Sequence, residues 1–256
     1  MPKQIHLVPH TTQNASVVSK SNAADWHLEI PPGEAGVYRL AQLDDYHNRS
    51  RRNLPWRAPL SLSLDARAST ESLPGTWGFG LWNDPFGLSL GFGATPGRMP
   101  ALPNAIWFFH ASPPNYLSFR DDQPSQGFLA GTFASPLWPT LMLVPGLLMA
   151  PLLTLRPMAR ALRKLASRII QEQSSLVPID VTQWNTYRLD WSQNHAVLWV
   201  NDSMVLDSQV TPNGPLGMVL WIDNQYAAFT PEGDLGFGTL ANPPAWLELK
   251  NIELIN

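Results

Sequence analysis

The chain has 256 residues, with 17 lysines and arginines against 20 aspartates and glutamates, and it contains no cysteine. A net charge of −3 leaves no global basic field for nucleic acid, and the lack of thiols excludes disulfides and thiolate metal sites. Only 14% of residues are charged while tryptophan numbers 11 and proline 25, a balance that points to an aromatic cavity or an apolar contact surface.

Residues 1–25 are polar and unpatterned and are expected to form an N-terminal arm laid over the body. The start lacks the apolar run of a signal peptide, so a cytoplasmic location is expected, peripheral on a membrane if a later segment touches one. From Trp26 onward, short alternating runs broken by Pro, Gly, Asn and Asp predict strands over 26–30, 36–43, 60–68, 77–82, 105–111, 116–120 and 128–133. The run 60–68 is the clearest, with Leu60, Leu62, Leu64 and Ala66 on one face and Ser61, Ser63, Asp65 and Arg67 on the other. The loop from Arg49 to Arg57 reads as solvated charge. Arg39 reads as one partner of a surface ion pair. The pairs Asp44–Asp45 and Asp121–Asp122 read as solvated acids rather than calcium ligands.

The stretch 136–175 breaks the strand rhythm. Its first half is apolar but interrupted by Pro136, Pro139, Pro145 and Pro151, which disfavours one straight membrane-spanning helix. After it, Met158, Leu162, Leu165 and Ile169 fall on one arc at helical spacing, with Arg160, Arg163, Lys164 and Arg168 on the rest of the surface. A mostly helical insert is therefore expected. Its residues Trp138, Leu141 and Leu147 and its four cations would meet either a membrane surface or the protein's own body as a lid. Strands then return over 184–191, 195–201, 204–209, 216–223 and 246–254, and Asn201-Asp202-Ser203 is a hairpin turn. About a dozen strands without repeat or linker predict one all-β domain over 1–256, an antiparallel sandwich of two sheets.

The segment Trp184-Asn-Thr-Tyr-Arg-Leu-Asp-Trp-Ser-Gln-Asn-His-Ala-Val-Leu-Trp-Val-Asn-Asp202 resembles a hairpin of family-16 glycoside hydrolases and related concanavalin A-like jelly rolls. Gly75-Thr-Trp-Gly-Phe-Gly-Leu-Trp82 looks like the aromatic strand that precedes their catalytic strand. The resemblance implies a concanavalin A-like jelly roll with a ligand on its concave face. It also implies an E-x-D-x-x-E catalytic strand, and this chain departs from it: the strand in that order is Ala105-Ile-Trp-Phe-Phe-His-Ala-Ser112. Ordinary retaining glucanase chemistry, which needs two closely spaced carboxylates, is not expected.

The candidate chemistry rests on two similar segments, Gly80-Leu-Trp-Asn-Asp-Pro85 and Val219-Leu-Trp-Ile-Asp-Asn-Gln-Tyr226. Asp84 and Asp223 are candidate acid/base groups because a carboxyl beside Trp82 or Trp221 would have a raised pKa, and His110 is a candidate proton shuttle. Their alternative roles are turn capping for the aspartates and a buried, hydrogen-bonded ring for the histidine. Trp77, Phe79, Trp82, Asn83, Trp107, Trp221, Asn224 and Tyr226 are candidate ligand contacts. His6, His10, His27, His47 and His195 show no ligand spacing in sequence, and neither a metal nor a cofactor is expected. The expected partner is a hydrophobic small molecule, converted by an isomerase, cyclase or hydratase type of reaction. The rival is a glycan held by a carbohydrate-binding module or divergent glycosidase.

Overall fold

A computed structural model describes residues 5–20, 25–85, 100–138 and 153–255. In chain order its strands begin with β1 (Val8–Thr11), β2 (Ser16–Ser19), β3 (Trp26–Ile30), β4 (Leu40–Asp44), β5 (Leu60–Ala68), β6 (Thr76–Trp82), β7 (Ala105–Ala111) and β8 (Gly127–Ala134). Helix α1 (Arg156–Ile169) follows, then β9 (Gln171–Leu176), β10 (Asn185–Trp191), β11 (Ala196–Val200), β12 (Ser203–Ser208), β13 (Gly217–Asp223), β14 (Gln225–Phe229), β15 (Leu235–Thr239) and β16 (Ala245–Ile255). Two seven-stranded antiparallel sheets carry the fold, in the orders β1-β4-β13-β6-β7-β8-β9 and β12-β11-β10-β5-β16-β3-β2, with β14-β15 as a separate hairpin.

The sandwich follows from period-two burial. On β5, alternate residues from Leu60 to Ala68 are buried, as the sequence predicts. Leu62 and Leu64 meet Leu28, Ile30, Tyr187, Leu189, Leu247 and Leu249 of the same sheet, and across from them stand Leu43, Trp77, Phe79, Ile106, Phe108, Leu220 and Ile222. The aromatic members interlock edge to face, with the Tyr187 ring 4.9 Å from Phe79 and 5.1 Å from Phe108. The predicted hairpin between β11 and β12 turns through Asn201 and Asp202, both at positive φ (48° and 63°), the left-handed pair such a turn requires.

Three expectations are corrected. The expected arm contains β1 and β2, which pair with β4 and β3 at the edges of the two sheets. The predicted strand at 116–120 is a loop whose Tyr116 makes one isolated bridge to Ala228. The insert is also shorter than predicted, because β9 pairs with β8 and closes the first sheet.

Helix α1 docks only in part by its expected apolar arc, with Leu162 and Ile169 half-buried. It buries Ala159 and Arg163, with Ala166 packed beside Phe119 and Phe133, while Met158 and Leu165 are 42% and 51% exposed. Small alanines let the helix approach closely, and the Arg163 guanidinium supplies the donors that the loop below needs. Arg163 donates to the carbonyls of Ser118 and Phe229 at 2.6 Å each and pairs with Asp121 at 2.8 Å. It therefore does not face headgroups. Arg160, Lys164, Arg168 and Trp138 are exposed, and Leu141 and Leu147 lie outside the described residues. No described helix is long and apolar enough to cross a membrane.

Candidate functional site

The outward face of the first sheet is built from the residues that alternate with its core positions. Cross-strand register places Asp44, Val219, Gly80, Trp107, Gly131 and Ser174 in one row and Gln42, Trp221, Gly78, Phe109, Leu129 and Leu176 in the next. The row beyond holds Gly217, Trp82, Ala105, Phe133 and Glu172. Large rings thus alternate with glycines. A Cβ on Gly78 would lie 2.7 Å from the Trp221 ring and 2.4 Å from the Phe108 carbonyl, and one on Gly80 would lie 2.6 Å from Trp107 Cβ.

Trp82, Trp107 and Trp221 are half-buried and form one platform. Trp82 and Trp221 lie parallel within 6° at 6.4 Å between centroids, and Trp107 stands 5.9 Å from Trp82 and 5.5 Å from Trp221. The polar edges of Trp82 and Trp221 are held from below. Trp82 Nε1 donates to Tyr46 Oη at 2.7 Å, and Trp221 Nε1 donates to Thr76 Oγ1 at 2.9 Å. Thr76 in turn donates to Asp223 Oδ1 at 2.8 Å, so a polarised chain fixes the Trp221 ring. Trp107 Nε1 is buried without a hydrogen-bond partner among the described residues.

The platform has two borders. On one side α1 and the 118–120 loop are pinned together. Glu172 of β9, a buried carboxylate absent from the sequence expectations, accepts the Phe119 and Arg120 amides at 3.0 Å each and the Ser118 hydroxyl. On the other side stand Gln42 of β4 and His10 of β1, paired in register.

The second sheet carries tryptophans on its outer face too, but cations cover them. Arg67 lies 4.9 Å from the Trp184 ring and 5.4 Å from Trp246, Lys250 lies 4.2 Å from Trp184, and Arg188 lies 4.9 Å from Trp199. Among the described residues no cation is stacked on Trp107 or Trp221.

The candidate catalytic groups do not converge. Asp223 aligns with Thr76 at one end of β6, whereas Asp84 follows Trp82 at the other, a separation of roughly 20 Å at the rise of a β-strand. Asp223 is buried, and burial raises its pKa to about 6 against the pull of hydrogen bonds from Thr76, Gln225 and Tyr38. Asp84 sits in a turn at φ 49°, where its carbonyl accepts Arg51 Nε at 3.1 Å. His110 points into the core between the sheets, stacked on Trp77 at 5.8 Å, and burial lowers its pKa to about 4. It is a buried ring and not a shuttle at the outward face.

The candidate ligand contacts divide in the same way. Trp82, Trp107 and Trp221 share the platform, but Trp77 and Phe79 lie on the opposite face of β6, within the core. Asn83 ties its loop to Asn104 and Leu102. Asn224 clamps Arg39, Val37 and Leu240. The Tyr226 ring packs over Gly236 and Gly238 of the β14-β15 hairpin. Arg39, expected in a surface ion pair, is a buried clamp for the Glu34 and Val37 carbonyls.

No protein-family model matches the chain, and no curated protein sequence does. Among solved structures the chain is similar to a β-1,3-glucanase from Mycobacterium marinum, with TM-score 0.49, 10% identity and coverage of 99% of this chain and 92% of that one. It is also similar to LamAcat from Zobellia galactanivorans, with TM-score 0.48, 13% identity and coverage of 92% and 78%. A third likeness is to the Emp47p carbohydrate recognition domain, with TM-score 0.46, 10% identity and coverage of 97% and 88%.

Proposed function

We propose that the outward face of the first sheet binds a carbohydrate, with sugar rings stacked on Trp82, Trp107 and Trp221. The observation that carries this reading is the state of the indoles. They are half-buried, the orientations of Trp82 and Trp221 are fixed from below, and Trp107 and Trp221 carry no stacked cation among the described residues. Such a surface suits a ligand that is apolar on one face and polar along its edges, as a pyranose is. A hydrophobic small molecule would instead favour an enclosing cavity that takes most of its surface out of water.

The polar rim supports the same reading. Gln42 and Ser174 stand in the indole rows and can exchange hydrogen bonds with sugar hydroxyls. Helix α1 serves as a side wall. Binding rather than turnover is the reading favoured for this face, because the outward positions of β7 are Ala105, Trp107, Phe109 and Ala111 and because Asp84, Asp223 and His110 lie apart. Glu172 has the right chemistry for an acid, but three donors from one loop already hold it.

Affinity electrophoresis through gels cast with laminarin, lichenan, xyloglucan or agarose tests the proposal. Retardation of the intact protein by at least one of them is expected, with its loss in Trp107→Ala and Trp221→Ala. Unretarded migration in every gel would refute it.

A further inference from the structure

His10, Asp44 and His47 are distant or unspaced in sequence, but the β1-β4 register and the turn after β4 bring their ligating atoms within 4.8 Å of one another. Asp44 is the fixed member. It is fully buried, its Oδ1 accepts the amides of Tyr46 at 3.1 Å and His47 at 2.9 Å, and its Oδ2 accepts Gln42 Nε2 at 2.9 Å. His10 Nε2 lies 3.2 Å from the same Oδ2, yet it is off the line of a hydrogen bond and has no such partner among the described residues. A buried ring nitrogen therefore faces a buried carboxylate without a proton shared between them.

The two imidazoles stack with centroids 3.8 Å apart and planes 22° from parallel. The stack keeps both rings beside the buried Asp44 carboxylate.

We propose that His10, Asp44 and His47 form a binding site for a divalent transition metal of the zinc type, with solvent completing the coordination. Two imidazoles and one carboxylate suit zinc, whereas calcium and magnesium call for oxygen donors throughout. The Tyr46 and His47 amides and the Gln42 side chain hold the carboxylate from behind, the outer-shell support that metal ligands need. Ligand atoms around tetrahedral zinc stand about 3.4 Å apart at bond lengths of about 2.1 Å. The site lies on β1, β4 and the turn after β4, at the open edge of the first sheet beside the strand of Trp221, and its existence does not depend on what the platform binds.

The test is a zinc titration of the chelator-stripped full chain in competition with a chromogenic chelator, together with thermal melts with and without zinc. One equivalent is expected to bind and to raise the melting temperature. His10→Gln and His47→Gln should each weaken binding by about 10²-fold or more, since even outer-shell losses cost 10- to 100-fold. His27→Gln and His195→Gln, at sites where histidine is paired with Glu248 and Asp207, should leave binding unchanged. Far-ultraviolet circular dichroism establishes that each variant is folded, and His47, a half-exposed turn residue, serves if His10→Gln is not. Failure of the wild type to take up stoichiometric zinc would overturn the proposal. So would binding that survives in both His10→Gln and His47→Gln.

Discussion

Replacing Asp223 by Asn should change how stability depends on pH. Asp223 is 5% exposed, and its pKa moves from 3.8 to about 6, chiefly because burial penalises the charged form. The folded protein therefore holds this proton more tightly than the unfolded chain does. The sign follows: the contribution of Asp223 is most favourable below about pH 4, declines as pH rises towards about 6, and is level above that. A shift from 3.8 to about 6 corresponds to about 3 kcal/mol at 1.36 kcal/mol per unit. Asparagine keeps an acceptor for Thr76 and Gln225 and turns its amide towards Tyr38, whose hydroxyl then accepts instead of donating. Urea denaturation of both proteins across this range gives the comparison. Asp45 is also raised to about 6 by burial, but its effect is common to both proteins and cancels in the difference. The stability of the variant relative to wild type should rise by about 3 kcal/mol from the acid end to neutral pH. A constant difference would show that Asp223 does not ionise in this range and would refute the reasoning.

Two further substitutions test the frame around the platform. Gly78→Ala places a methyl against the Trp221 ring and the Phe108 carbonyl; chemical denaturation should show a loss of about 1–3 kcal/mol from overpacking, with weaker ligand retention. Arg163→Met leaves the Ser118 and Phe229 carbonyls without their donor. It should cost about 2–3 kcal/mol in the same assay and speed proteolysis at α1, since the exposed Asp121 can rehydrate but the buried Ser118 carbonyl cannot.

The sandwich was legible wherever one strand face is apolar and the other polar, as on β5 and on the β10-β11-β12 run. The short edge strands were not. The sequences Val8-Pro-His-Thr11 and Gln171-Glu-Gln-Ser-Ser-Leu176 pair on one side only and bury little, so no alternation marks them. Glu172 looks solvated in sequence and is buried only because a distant loop folds its amides onto it. On β6, period two separates Trp77 and Phe79 from Trp82, but both faces are aromatic, and the pattern alone does not say which one meets the other sheet. Helical spacing identified α1 yet only part of its docking face; the body set the rest by fitting the small Ala159 and Ala166 and by offering carbonyls to Arg163. His10, Asp44 and His47 were invisible to spacing because strand register, not sequence distance, assembles them.

Isothermal titration with the oligosaccharide derived from whichever polysaccharide retards the protein tests the central claim most directly, using two matched sets of variants. Trp82→Ala, Trp107→Ala and Trp221→Ala remove the platform, whereas Trp184→Ala, Trp199→Ala and Trp246→Ala remove the cation-covered indoles of the second sheet. Each platform indole should account for about 1–2 kcal/mol of binding, a loss of roughly 5- to 30-fold per variant, and the second set should bind as wild type does. Affinity lost in the second set and retained in the first would contradict the account.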